Sequence, residues 1–286
     1  MLVERDLTLS FGGFKYQCRV AEQPEPVMAP VLLIGGAFQD RHSWARHQAR
    51  LAPHATVVTV DLPGTGCADP LPARYGIEFL ADAVHDMITE LGLPALNIMG
   101  GSYGGTVAYR LAQRHPAAVR RLLLCGTALR VPEPTRTRAQ ATIDLLRAGD
   151  REAFVRETVA LFLNGDPAAT VHRRLAVTRL LEHQLRTLTP DEADKYATNT
   201  ERVLACTTAD VGPPPSCPLL VVTGEHDSLT TPAMCRALAD ACPDGRFVAL
   251  GHADHLMPVQ RAGEFADLML RHFGGLPTDD LPYGVY

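Results

Sequence analysis

The chain has 286 residues, enough for a large core without disulfides or metal, and its 46% hydrophobic and 21% charged content is that of an ordinary globular protein. A net charge of −5 supplies no basic field, which argues against nucleic acid and anionic membranes as partners. No segment reaches the length of a transmembrane helix, and the seven scattered cysteines, with no C-x-x-C pair, read as free thiols rather than a disulfide framework or zinc site.

In chain order, Met1-Leu2-Val3-Glu4-Arg5-Asp6 mixes charged with apolar residues and lacks the unbroken apolar run of a signal peptide, so a cytoplasmic location is expected. Val3 to Leu9 and Tyr16 to Val20 then read as a hairpin around Ser10-Phe11-Gly12-Gly13. Short continuous apolar runs follow at Val31 to Ile34, Val57 to Val60, Leu96 to Met99, Leu122 to Cys125, Leu219 to Thr223 and Phe247 to Leu250. Such runs are expected of strands covered on both faces. Helical periodicity lies between them near Trp44 to Leu51, Ile77 to Leu91, Tyr103 to His115, Pro232 to Ala241 and Ala262 to Phe273. The alternation predicts an α/β fold with a mostly parallel, doubly covered sheet.

One interruption lies between Leu129 and Pro213, where helical periodicity runs without a strand. Phe154, Thr158, Leu161 and Phe162 share one apolar face, and Leu181, Leu185 and Leu188 share another. Pro132, Gly149, Asn164-Gly165-Asp166-Pro167 and Thr189-Pro190 divide the segment into about four helices. Most of the apolar positions are expected to pack the segment onto the core, and a few to line a pocket.

The run Met99-Gly100-Gly101-Ser102-Tyr103-Gly104-Gly105 places a serine on the turn between an apolar strand and a helix, the setting in which a hydroxyl serves as a nucleophile. Gly100 and Gly104 remove the Cβ atoms that would collide where strand and helix backbones approach, and the helix N-terminus favours a developing negative charge. Glycine-flanked serines are common in loops, so the reading depends on the partners. The Leu219 to Thr223 strand ends in Gly224-Glu225-His226-Asp227, and the next strand is followed by Gly251-His252-Ala253-Asp254-His255-Leu256. Serine, carboxylate and histidine thus follow in the order of nucleophile, orienting acid and general base. Asp227 is the candidate acid, with Glu225 as the alternative nearer the strand end; His252 and His255 are both candidate bases, and His226 reads as structural or solvated.

With these residues the chain resembles the α/β-hydrolase superfamily, from about its first strand to its last helix. Asp61-Leu62-Pro63-Gly64-Thr65-Gly66 is similar to the superfamily's D-L-P-G-x-G turn. Gly35-Gly36-Ala37-Phe38 is similar to its oxyanion loop, with Gly35 standing where the family usually has histidine. The resemblance implies a core of residues 1–129 and 214–286, and a helical cap, 130–213, inserted after the sixth strand and folded over the substrate pocket. It implies Ser102 as nucleophile, Asp227 as acid, and the backbone N–H groups of Ala37 and Tyr103 as oxyanion donors. His255 ranks ahead of His252, because 28 residues separate it from Asp227 against 25 for His252, and Leu256, Met257 and Val259 form the apolar turn that trails the family's base. Asp254 stands where the family usually has glycine.

The implied reaction is hydrolysis of an ester or thioester of an apolar acyl group, free or carrier-bound, through an acyl-enzyme intermediate. Acyl transfer or cyclisation on the same residues is an alternative, and so is a receptor that binds without turnover. No organic cofactor or metal is implied. Oligomeric state leaves no signature in the sequence.

Overall fold

A computed structural model describes residues 3–206 and 212–285; Met1, Leu2, residues 207–211 of the inserted segment, and Tyr286 lie outside the described residues. The chain opens with a hairpin of β1 (Val3–Phe11) and β2 (Phe14–Glu22) and then alternates. β3 (Val31–Ile34), α1 (Ala45–Leu51), β4 (Val57–Asp61), α2 (Ile77–Glu90), β5 (Leu96–Gly101), α3 (Tyr103–Arg114) and β6 (Val119–Cys125) lead to four consecutive helices. These are α4 (Glu133–Arg147), α5 (Arg151–Phe162), α6 (Arg174–Thr187) and α7 (Pro190–Ala205). Alternation resumes with β7 (Leu219–Gly224), α8 (Pro232–Asp240), β8 (Gly245–Leu250), α9 (Met257–Gln260) and α10 (Ala262–Gly274), and the chain ends in β9 (Gly284–Val285).

The strands form a nine-stranded sheet in the order β1-β2-β4-β3-β5-β6-β7-β8-β9. Neighbours from β4 to β8 are parallel, while β1–β2, β2–β4 and β8–β9 are antiparallel. The hairpin is tighter than the sequence suggests: Phe11 pairs with Phe14 across Gly12 and Gly13, whose φ values are +57° and +88°. Both residues of the turn need positive φ, which glycine adopts without strain. The ladder extends this far because Phe11 and Phe14 both pack on Phe79, with ring centroids 5.0 and 5.8 Å away.

The central strands are apolar on both faces because both are covered. Leu32, Ile98, Leu122 and Val221 face the layer that holds Leu80, Val107 and Leu238. Val31, Leu33, Leu123 and Leu220 face Leu51, Phe265 and Leu268 on the other side. Successive residues of a strand point to opposite faces, so a four-residue run such as β3 supplies both cores.

The α4–α7 segment has its own apolar cluster, in which Phe154, Val177, Leu181, Leu185 and Tyr196 meet Phe38 and Leu256 of the sheet-end loops. Its helix starts are written in the chain. Asp150 accepts from Ala153 N–H at 3.0 Å, and Thr189 and Glu192 form a reciprocal capping box with Pro190 as the first helical residue. Among the described residues no helix is long and apolar enough to cross a membrane.

Candidate active site

Ser102 sits between the end of β5 and the start of α3 with φ +48° and ψ −109°, a conformation that a non-glycine residue holds only under constraint from its surroundings. Its N–H donates to Cys125 O at 2.7 Å, tying the turn to the end of β6. A Cβ on Gly104 would lie 2.4 Å from Gly35 O, and one on Gly100 would lie 2.6 Å from Gly104 O. The turn therefore requires glycine at both places.

Asp227 and His255 come from the loops after β7 and β8, and both side chains are buried. His255 Nδ1 lies 2.8 Å from Asp227 Oδ2, and His255 Nε2 lies 3.3 Å from Ser102 Oγ. Asp227 also accepts from the Thr223 and Thr230 hydroxyls and from the N–H groups of Leu229 and Thr230, each at 2.8 Å. These acceptor contacts assign the Nδ1 proton to the Asp227 side and leave Nε2 free to accept from the serine hydroxyl. Burial disfavours the charged form of both side chains, but each partner's charge and the hydrogen bond between them outweigh it. The carboxyl is held below its ordinary range and the imidazole above its own.

His252 does not reach this group. It is exposed, with φ +55°, and its N–H donates to Glu225 Oε2 at 2.9 Å. Glu225 is thereby engaged away from His255. With His226, these residues bring three atoms of metal-ligand type within 4.8 Å of one another, a donor set of two imidazoles and a carboxylate that suits a divalent transition metal.

Three groups of contacts were not legible in the sequence. Gln39 Oε1 accepts from Gly36 N–H at 2.7 Å, so a glutamine three residues downstream shapes the loop in which Gly35 replaces the expected histidine. Asp254 is buried and accepts from Leu256 N–H, Gln260 Nε2 and Asn164 N–H, while Asn164 Nδ2 donates to His226 O. The aspartate in place of glycine thus ties the β8 loop to the start of the α5–α6 connection. Tyr103 donates through its hydroxyl to Asn199 on α7 at 3.1 Å. The N–H groups of Ala37 and Tyr103 have no protein acceptor among the described residues.

Two clefts, each with a cavity of about 100 Å³, meet at Ser102. The first is walled by Leu129, Leu161, Phe162, Tyr196 and Val203. The second is walled by Phe38, Phe162, Val177, Leu181, Leu256 and Val259. No Lys, Arg, Asp or Glu side chain lines either cleft among the described residues. Of the apolar positions expected on the two helical faces, Leu161, Phe162 and Leu181 reach the clefts, whereas Phe154 and Leu185 pack within the helical cluster.

A sheet of this topology with a serine on the β5–α3 turn defines a class, and sequence comparison agrees with it. Residues 29–262 match the model of the alpha/beta hydrolase fold family, and the chain belongs to that family. It is 27% identical over 263 residues to a Yersinia enterocolitica protein named carbamate hydrolase RutD, covering 88% of this chain and 90% of that one. It is 31% identical over 244 residues to a Neisseria meningitidis pimeloyl-[acyl-carrier protein] methyl ester esterase, covering 83% and 91%. Among solved structures, the enol-lactonase from Burkholderia xenovorans LB400 superposes with a TM-score of 0.80 at 25% identity, over 93% of this chain and 99% of that one. Fold and relatives together support a hydrolase.

Proposed function

We propose that the protein is a serine hydrolase that cleaves an ester or thioester of an uncharged, apolar acyl group through an acyl-enzyme intermediate. The observation that carries this reading is the Ser102–His255–Asp227 chain of contacts at the junction of two apolar clefts. One cleft would take the acyl chain and the other the leaving group. The α4–α7 helices act as the cap, since Leu161, Phe162 and Leu181 wall the clefts from that side.

In the first half-reaction His255 Nε2 takes the hydroxyl proton as Ser102 Oγ attacks the carbonyl carbon, and Asp227 steadies the imidazolium. The carbonyl oxygen gains negative charge and is met by the N–H groups of Ala37 and Tyr103, each worth on the order of 3 kcal/mol to the transition state. Collapse breaks the carbonyl–oxygen or carbonyl–sulfur bond, and His255 returns the proton to the departing alcohol or thiol. Water then repeats the sequence on the acyl-serine, releasing the acid and restoring the hydroxyl.

The names of two relatives, an esterase and a carbamate hydrolase, favour attack on a carbonyl carbon. The test is hydrolysis of p-nitrophenyl esters of increasing chain length by the wild type and by Ser102→Ala. An optimum at an uncharged chain, with the variant reduced by three or more orders of magnitude, is expected. Full activity in Ser102→Ala overturns the proposal.

A further inference from the structure

Arg202 lies on α7 and is 1% exposed, among the largest fully buried side chains of the protein. Its contacts reach two other parts of the chain. Nε donates to Tyr75 O at 2.6 Å, and one terminal nitrogen donates to Leu71 O at 2.8 Å and Pro72 O at 3.2 Å. The other donates to the Tyr103 hydroxyl at 3.0 Å and to Asn199 Oδ1. Asn199 completes the group by donating from Nδ2 to Gly64 O at 2.8 Å. No carboxylate lies within salt-bridge distance of the guanidinium among the described residues.

A buried guanidinium without a counter-charge is costly, and this one is compensated only by neutral oxygen acceptors. Such an arrangement leaves its positive charge without a carboxylate in contact. It also fixes the far end of the Tyr103 ring, so the first residue of α3 is gripped from α7. Tyr103 is the residue whose N–H faces the developing oxyanion in the reaction proposed above.

We propose that Arg202 is a positioning residue for that reaction: it holds Tyr103 so that its backbone N–H stays aimed at the oxyanion, and it places a buried positive charge, touched by no carboxylate among the described residues, behind the nucleophile turn. The inference rests on the serine-hydrolase reading. Both effects act on charge that develops in the transition state, so they change kcat and leave substrate binding alone. They also make α7 a part of the reaction machinery and not merely a lid.

The test uses the full chain as Arg202→Met, Arg202→Lys and Tyr103→Phe, with a p-nitrophenyl ester and with an alkyl trifluoromethyl ketone, which Ser102 Oγ would add to as a hemiketal oxyanion. Arg202→Met is expected to lower kcat about tenfold or more with KM within about twofold, and to weaken the ketone by the same factor. Arg202→Lys cannot span these acceptors, and burial favours its neutral amine, so it is expected to recover only part of the lost kcat. Tyr103→Phe keeps the contacts of Arg202 to Leu71, Pro72 and Tyr75, so it decides the matter if Arg202→Met does not fold. It is expected to stay folded with a modestly lowered melting temperature and to lose about threefold in kcat with KM unchanged. Wild-type kcat and ketone affinity in Tyr103→Phe and Arg202→Met would overturn the inference. A wild type that neither turns over esters nor binds the ketone would overturn the serine-hydrolase reading, and this inference with it.

Discussion

The imidazole of His255 is drawn in opposite directions, since burial favours its neutral form while the Asp227 charge and hydrogen bond favour its cation, and the second influence prevails. A general base works only when neutral, so activity falls as pH drops through its pKa. The acid limb of kcat/KM is therefore expected above the ordinary histidine value. Asp227→Asn removes the opposing charge and leaves burial unopposed, so the limb should move to lower pH while kcat falls by about three to four orders of magnitude. An unmoved limb in a pH–rate profile would contradict this account of the pair. His255→Ala is expected to abolish turnover, whereas His252→Ala, whose side chain contacts neither Ser102 nor Asp227, should stay within about threefold of wild type. That Ser102, Asp227 and His255 lie on neighbouring loop ends was legible because each follows an apolar strand within a few residues. Gln39, Asp254 and Arg202 were not, because their partners are set by loops and helices that meet only in three dimensions; Arg202 and Tyr103 are 99 residues apart.

Elements divide the same way. The parallel strands were read close to their observed bounds because their apolar runs are continuous, and the helix breaks at Gly149 and Thr189-Pro190 fall where α5 and α7 begin. β9 was missed because two residues, Gly284 and Val285, carry no periodicity; only their pairing with Leu250 and Ala249 makes them a strand. Which positions of an amphipathic helix turn to a pocket is likewise a matter of packing. Phe162 shows the consequence: it walls both clefts and its ring lies 5.5 Å from that of His255, edge-on. Phe162→Ala should merge the clefts and lengthen the preferred acyl chain, whereas Leu161→Trp should shorten it, as read from kcat/KM across the ester series. An unchanged optimum in both variants would mean that neither cleft holds the acyl group.

For the whole molecule, the two layers on the sheet bury titratable groups that take no part in the chemistry. Burial, reinforced by nearby arginines, holds His47 and His272 down to about 4. In the unfolded chain these groups bind protons below about pH 6.5, which the folded protein refuses until about pH 4, so stability falls as pH decreases across that window. By pH 5 each site costs about 2 kcal/mol. Urea midpoints should therefore drop between pH 7 and pH 5, and a pH-insensitive midpoint would contradict the burial of these side chains. Whether Ser102 is an activated nucleophile can be read from intact-protein mass spectrometry after brief exposure to a fluorophosphonate. A single phosphonyl adduct is expected on the wild type and none on Ser102→Ala. An unlabelled wild type, or equal labelling of both proteins, would contradict that activation.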